Sequence, residues 1–312
     1  MENLKATDKQ LAPPKRPSGL DWLKRMDPTN KIVVEYEKRL EAYNLASNIQ
    51  NLPSIEEYRE RIKKGYEKPE YGKIDCEHLY EMFKVCYFHV NEVEFNEESN
   101  NGEGRIFART MLLYFAGSNR FLQSPLLSKK TELSMKKGVM IVGKWGNGKT
   151  SVMKTIHFMF SRPISEPIYI KNKDGELYPL SAWNKGFSMF TANQVVDSYE
   201  WRSNTEKAEF WTLHTKGVKF YDDLLTERMV SNYGKFEIFK DVLEKRNDKR
   251  LRTVITCNYT SDKNFISQFD GKGKDLLDIT MFEMGVRYGK RVYDRLFSDF
   301  NIIELSGKSM RK

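Results

Sequence analysis

Apolar residues recur in two rhythms along this chain, and the change of rhythm divides it. Before residue 115 they come at helical spacing. Val33, Tyr36, Leu40 and Tyr43 stripe a helix over 31–50, opened by the turn Asp27-Pro28-Thr29-Asn30 and ended by Leu52-Pro53. Ser54-Ile55-Glu56-Glu57 has the S-x-x-E form of a capping box and predicts a charged helix to about Lys64. Cys76, Leu79, Phe83 and Cys86 align on one face over 75–88, and Phe107, Met111 and Tyr114 do so from about Arg105 to Phe115. From residue 138 short apolar runs take over. Val139 to Val142 reads as a strand buried on both faces. Phe187–Thr191, Val218–Tyr221 and Thr253–Thr256 predict further strands, and Lys171–Gly175 predicts a hairpin turn. Helices are expected over Ser151–Phe160, from Ala192 to about Tyr199, and over 232–246, where Phe236, Phe239, Val242 and Leu243 recur. This alternation predicts a three-layer α/β domain with a mainly parallel sheet.

Polar stretches supply the boundaries. Residues 1–20, broken by Pro13-Pro14 and Pro17, read as a flexible arm. Residues 21–95 form a small helical module, the polar loop Asn96–Gly104 ends it, and 105–312 is the α/β domain. No internal repeat interrupts this order.

Composition narrows the setting. With 39% hydrophobic and 13% aromatic residues, the 312-residue chain can bury a core. A net charge of +9 favours polyanionic partners, nucleic acid first. No apolar run of about eighteen residues predicts a membrane span, and MENLKATDKQ lacks an apolar leader. Three cysteines, none in a C-x-x-C pair, suit a reducing cytoplasm. Cys76-x-His78 and Cys86-x-x-His89 raise zinc as an alternative, but both cysteines fall on the apolar stripe, where a free cysteine behaves as a small hydrophobe.

The chemistry centres on Gly143-Lys144-Trp145-Gly146-Asn147-Gly148-Lys149-Thr150-Ser151. It follows a strand, opens a helix and has the spacing G-x-x-x-x-G-K-[ST] of a phosphate loop. Glycines let the backbone amides turn inward, and the helix N-terminus adds positive potential. Gly143, Gly146, Asn147, Gly148, Lys149, Thr150 and Ser151 would hold ATP, with Lys149 on the β and γ phosphates and Thr150 on Mg²⁺. Ligands of such sheets sit at the carboxyl ends of the strands. Two other strands end there in Asp222-Asp223 and in Asn258. The first carboxylate suits the Mg²⁺ shell, and the second suits the attacking water; Asn258 can hydrogen-bond that water or the γ-phosphate.

The order of these elements over roughly 105–312 resembles the AAA+ ATPases of the bacterial helicase-loader family (DnaC and DnaI) and the related IstB-type transposition helpers. The resemblance rests on the phosphate loop, FYDDLLTE (220–227), YGKFEIFKDVLEKR (233–246) leading to TVITCN (253–258), and YGKRVYDRLFSDFNIIELSGKSMR (288–311). It implies that Asp222 is the Walker B magnesium ligand, Asp223 the catalytic carboxylate and Asn258 sensor 1. Arg295 would be the arginine finger offered to a neighbouring subunit of a homo-oligomer, and Arg311 the sensor 2 arginine. Three departures stand out: the family commonly has glycine at Leu225, glutamate as often as aspartate at Asp223, and a shorter link than Asp270–Val286. Tyr199, Trp201 and Arg202 lie where the family's initiator clade carries an extra helix; an aromatic beside an arginine suits single-stranded DNA. The resemblance implies a DNA-replication accessory whose N-terminal module grips a replicative helicase. The alternatives are a transposition helper, whose partner is a transposase, and a P-loop small-molecule kinase with a lid of clustered arginines soon after the phosphate loop.

Overall fold

The computed structural model of the chain describes residues 13–50, 56, 71–163, 165–231, 234–261, 263–269 and 274–309. They fall into two compact units, divided between Glu70 and Tyr71. In the first, α1 (Leu20–Met26) and α2 (Lys31–Gln50) are joined by the Asp27–Asn30 turn. Asp27 Oδ1 accepts from the Thr29 amide (3.0 Å) and hydroxyl (2.7 Å), and Asn30 Oδ1 accepts from the Ile32 amide at 3.0 Å. That satisfies amide groups a helix start leaves orphaned, and α2 covers the predicted span. Of the capping-box helix expected after Pro53, all but Glu56 lies outside the described residues.

The second unit is built on five strands: β1 (Gly138–Gly143), β4 (Ser188–Thr191), β5 (Lys219–Leu224), β6 (Thr253–Asn258) and β7 (Phe300–Leu305). They pair in the order β4-β5-β6-β1-β7, every pair parallel. Alternate side chains of β1 explain its unbroken apolar run. Val139 and Ile141 enter one core with α3 (Cys76–Asn91), α4 (Glu103–Ala116) and α5 (Lys149–Phe160). Met140 and Val142 enter the other, with α6 (Ala192–Glu200), α7 (Lys207–His214) and α8 (Ile238–Asp248). The same second layer holds α10 (Leu276–Tyr288) and α11 (Lys290–Asp299); α9 is the short Lys263–Gln268. A strand covered on both faces has no polar side to alternate with. The three layers expected from the sequence are present.

A separate hairpin, β2 (Tyr169–Lys171) and β3 (Leu177–Pro179), carries the predicted Lys171–Gly175 turn, in which Asn172 Oδ1 accepts from the amides of Asp174 and Glu176, each at 2.9 Å.

One boundary differs from expectation. Helix α3, grouped by sequence with the N-terminal module, belongs to the second unit. Its stripe of Leu79, Phe83 and Cys86 is buried in the core that contains α5. The loop after it is polar because it faces a cavity, not because a domain ends there. Cys86 is thus a core residue, His78 Nδ1 accepts from the Lys171 amide at 3.2 Å, and the His89 ring lies 5.1 Å from that of Phe158. Among the described residues no group of His, Cys, Asp or Glu forms a metal site, and no helix is long and apolar enough to cross a membrane.

Helix α8 also begins later than 232, because Val230 and Phe236 first form an antiparallel bridge and Gly234 has φ 126°.

Candidate functional site

Three neighbouring strands bring the predicted polar groups together. β6 lies between β1 and β5, and the register sets Gly143 beside Asn258. At the end of β1 the loop turns through Gly146 (φ 74°) and Gly148 (φ 86°), conformations that glycine adopts without strain. Gly148 caps α5 with no side chain across the first amides, so those donors face outward as an anion site requires. Gly143 answers a different need. A Cβ there would sit 2.8 Å from the Leu305 carbonyl and 2.5 Å from Asn147 Nδ2.

Lys149 is only 4% exposed. Its Nζ donates to the carbonyls of Gly143 (3.1 Å) and Lys144 (2.9 Å), and to Oδ1 of Asn147 (3.2 Å) and Asn258 (3.0 Å). All four are neutral acceptors on the loop and the neighbouring strand, and a phosphate oxygen is a stronger one.

Asp222, 2% exposed, accepts from the hydroxyls of Thr150 (3.1 Å) and Thr256 (2.5 Å). Burial pushes its carboxyl above the usual range; the Thr256 hydrogen bond opposes this and the nearby Asp223 reinforces it. A buried carboxylate flanked by hydroxyls, with Thr150 opening the phosphate-loop helix, is an oxygen donor set suited to a hard divalent cation. The fold is that of a P-loop nucleoside triphosphatase.

Asp223 stands beside it, half-buried. Its Oδ1 accepts from Asn258 Nδ2 at 3.3 Å and its amide donates to Thr256 Oγ1 at 3.0 Å. Thr256 therefore holds both aspartates, a role invisible within the strand-like run Thr253–Asn258. Its one signal is a hydroxyl in a fully buried strand.

These groups open on a cavity of about 860 Å³, within the usual size for small-ligand pockets. Trp145 to Val152, Asp223 and Asn258 line one side; Val93, Phe95, Asn96, Ser99 and Phe107 line the other. That second wall comes from α3, α4 and their connection, which the sequence reading left out of the site. The same connection ties down the tail of β7. Glu103 accepts from the amides of Ser306 and Gly307, each at 2.8 Å, and Asn100 exchanges two hydrogen bonds with Lys308. A Cβ on Gly307 would meet Glu103 Oε2 at 2.4 Å, which accounts for that glycine.

The remaining predicted residues lie apart. Arg295 sits near the amino ends of β6 and β7, with Leu251, Thr253 and Phe300, and donates to Asp248 Oδ1 at 3.1 Å. It is at the opposite end of the strands from Lys149. Arg311 lies outside the described residues. The trio Tyr199, Trp201 and Arg202 is divided. The Tyr199 ring packs on Phe210 (5.0 Å) and Phe236 (5.6 Å), Arg202 turns back to the Ser198 carbonyl (2.6 Å), and Trp201 stands 86% exposed.

No protein-family model and no curated protein matches the chain. Solved structures are similar to it, two of them as follows. One is titled "Crystal structure of the DnaC helicase loader", at 16% identity over 70% of this chain and 98% of that one, with a TM-score of 0.39. The other is titled "Crystal Structure of the DnaI", at 19% identity over 69% and 89%, with a TM-score of 0.35. These are proteins that the sequence motifs resemble.

Proposed function

We propose that this chain is an ATP-hydrolysing AAA+ protein of the helicase-loader kind. The observation that carries the reading is the junction of Thr150, Asp222 and Asp223: a phosphate-loop hydroxyl bonded to a buried carboxylate, with a second carboxylate next to it facing the cavity. Thr150 and Asp222 would hold magnesium, which neutralises charge building on the phosphates. Lys149 exchanges its carbonyl partners for phosphate oxygens. Asp223 takes the proton of the attacking water, and Asn258, already bonded to Asp223, orients it. The kinase alternative loses ground after α5: the segment there is a β-hairpin, and its arginine, Arg162, is paired to Glu166 at 2.6 Å.

In this reading Arg295, at the amino ends of β6 and β7, serves a neighbouring subunit's nucleotide and not its own. Arg295→Ala should bind ATP yet fail to hydrolyse it. Mixed with Lys149→Ala, which keeps the finger but loses the pocket, it should regain part of the turnover at shared interfaces. A co-assembled mixture that stays inactive sinks the arrangement in trans.

The loader reading also requires a DNA surface and a helicase. Trp201, exposed beside Arg202, offers a stacking face for single-stranded DNA. Trp201→Ala should cost about 1–3 kcal/mol of that affinity, the stacking range for one base, in a titration of labelled strands. Affinity should also fall steeply with salt; no binding at low salt removes DNA as a direct partner. For the helicase, capture by the full chain but not by one lacking residues 1–70 would support the N-terminal unit as the gripping surface; equal capture by both would sink it.

A further inference from the structure

At the carboxyl end of β5 the backbone turns left-handed twice in three residues, at Asp223 (φ 59°) and Leu225 (φ 75°). Such a conformation is strained when the residue is not glycine, and it persists where surrounding groups over-determine it. At Leu225 those groups come from the end of α10. The Leu225 amide donates to the Tyr288 hydroxyl at 3.2 Å, and its carbonyl accepts from Arg287 Nη1 at 2.7 Å. Both hydrogen-bonding groups of that residue are thus gripped by two consecutive side chains.

The grip is itself anchored. Tyr288, fully buried, donates to Glu227 Oε1 at 2.5 Å. Arg287 donates to the Glu227 carbonyl, lies 3.3 Å from the Glu227 carboxylate, and reaches Glu237 Oε1 through Nε at 2.9 Å. Burial pushes the Tyr288 phenol well above its ordinary range, so the hydroxyl keeps the proton it gives to Glu227. Charge-assisted bonds in a dry setting make this a stiff link from α10 to the turn. It ends at a useful place: Asp223, two residues before Leu225, is the carboxylate bonded to Asn258 in the cavity.

We infer that Arg287 and Tyr288 are positioning residues for Asp223, holding the left-handed turn that aims its carboxylate into the cavity, and so set the rate of hydrolysis without setting nucleotide affinity. The inference rests on the hydrolytic reading above.

The test uses the full chain under assembling conditions. Tyr288→Phe keeps the ring and removes the hydroxyl. Its turnover should fall about tenfold or more, while KM and nucleotide affinity stay within about twofold. Adding Leu225→Gly should restore most of the rate, because glycine adopts the left-handed turn without being held. A protein destabilised in general would not recover turnover in that way. Parallel loss of rate and nucleotide affinity in Tyr288→Phe, or failure of Leu225→Gly to restore turnover, overturns the inference. If Tyr288→Phe does not fold, the double variant is compared with Leu225→Gly alone: equal turnover supports the inference and a slower double variant overturns it. Wild-type protein that binds ATP and never hydrolyses it, even when assembled, would overturn the hydrolytic reading and this inference together. Normal wild-type turnover with an unchanged Tyr288→Phe overturns the inference alone.

Discussion

Of the cations buried against this sheet, two lie at opposite ends of it and are there for different reasons. Lys149, at the carboxyl end, and Arg246, at the amino end, are 4% and 1% exposed. Arg246 donates to the carbonyls of His214 (2.6 Å), Gly217 (3.0 Å) and Arg252 (2.7 Å) and to Thr253 Oγ1 (2.8 Å). These acceptors belong to the loops that enter β5 and β6, so the guanidinium closes them like a clasp. Lys149 also meets neutral oxygens, but beside a cavity, below an uncapped helix N-terminus and near two carboxylates. Burial and neutral oxygen acceptors are common to both. What separates a site from a brace is whether the surrounding acceptors can be exchanged for those of a ligand.

That distinction breaks most sharply at Arg246. Arg246→Met keeps the apolar stem and strands three carbonyls and a hydroxyl, so it should cost at least about 3 kcal/mol, measured by urea unfolding. A loss below about 1 kcal/mol would mean the clasp is not what holds the loops.

Lys149→Ala should do the reverse. Nucleotide affinity should fall at least about a hundredfold, near 2.7 kcal/mol, with the unfolding midpoint almost unchanged, because Asn147 and Asn258, two of the residues it leaves, line an open cavity that water can enter. Calorimetric titration with Mg²⁺-ATP beside thermal unfolding would check both halves. Equal damage to fold and binding would erase the contrast with Arg246.

The smallest expected effect is that of lowering the pH by a single unit, felt at the amino end. His214 is buried between Phe210 and Tyr221, and its Nδ1 shares a hydrogen bond with the Tyr221 hydroxyl at 3.0 Å. Burial, helped by Lys219 and Arg246, pushes its imidazole down to about 3. The unfolded chain therefore binds a proton near pH 6.5 that the folded chain refuses until about pH 3. The stability this histidine contributes is complete above pH 6.5 and declines as pH falls through that window, by at most about 1.4 kcal/mol per unit. His214→Phe should flatten that part of the pH profile. A profile identical to wild type would show that the group is not held neutral.

The two ends also differ in how legible they were. The phosphate loop could be read because its chemistry is local: nine consecutive residues carry the glycines, the lysine and the hydroxyl in the order phosphate requires. The Asp222-Asp223 pair and Asn258 could be read because each ends an apolar run. Thr256, Asn100 and Glu103 could not. Their roles arise from which strands become neighbours and where the tail of β7 comes to rest. Tyr199 misled for a related reason, since an aromatic beside an arginine looks the same in sequence whether it packs inward or stands out. Helix α7 was missed for want of length, and α10 was hidden in a segment noted only for being long. The departure at Leu225 was visible from the start; its meaning needed a φ of 75° and the two side chains that hold it.

The pairing of β1 carries a consequence in time. This strand is made at residues 138–143, yet its partners are β6 and β7, made about a hundred residues later and beyond. At ordinary synthesis rates that is a delay on the order of ten seconds. Throughout it the strand that carries the phosphate loop has neither of its neighbours, and four apolar residues wait for a sheet. Asn258 and the Leu305 carbonyl, which steady Lys149 and Asn147, are also still to come. A growing chain thus has no complete phosphate-loop pocket until β6 and β7 have been made.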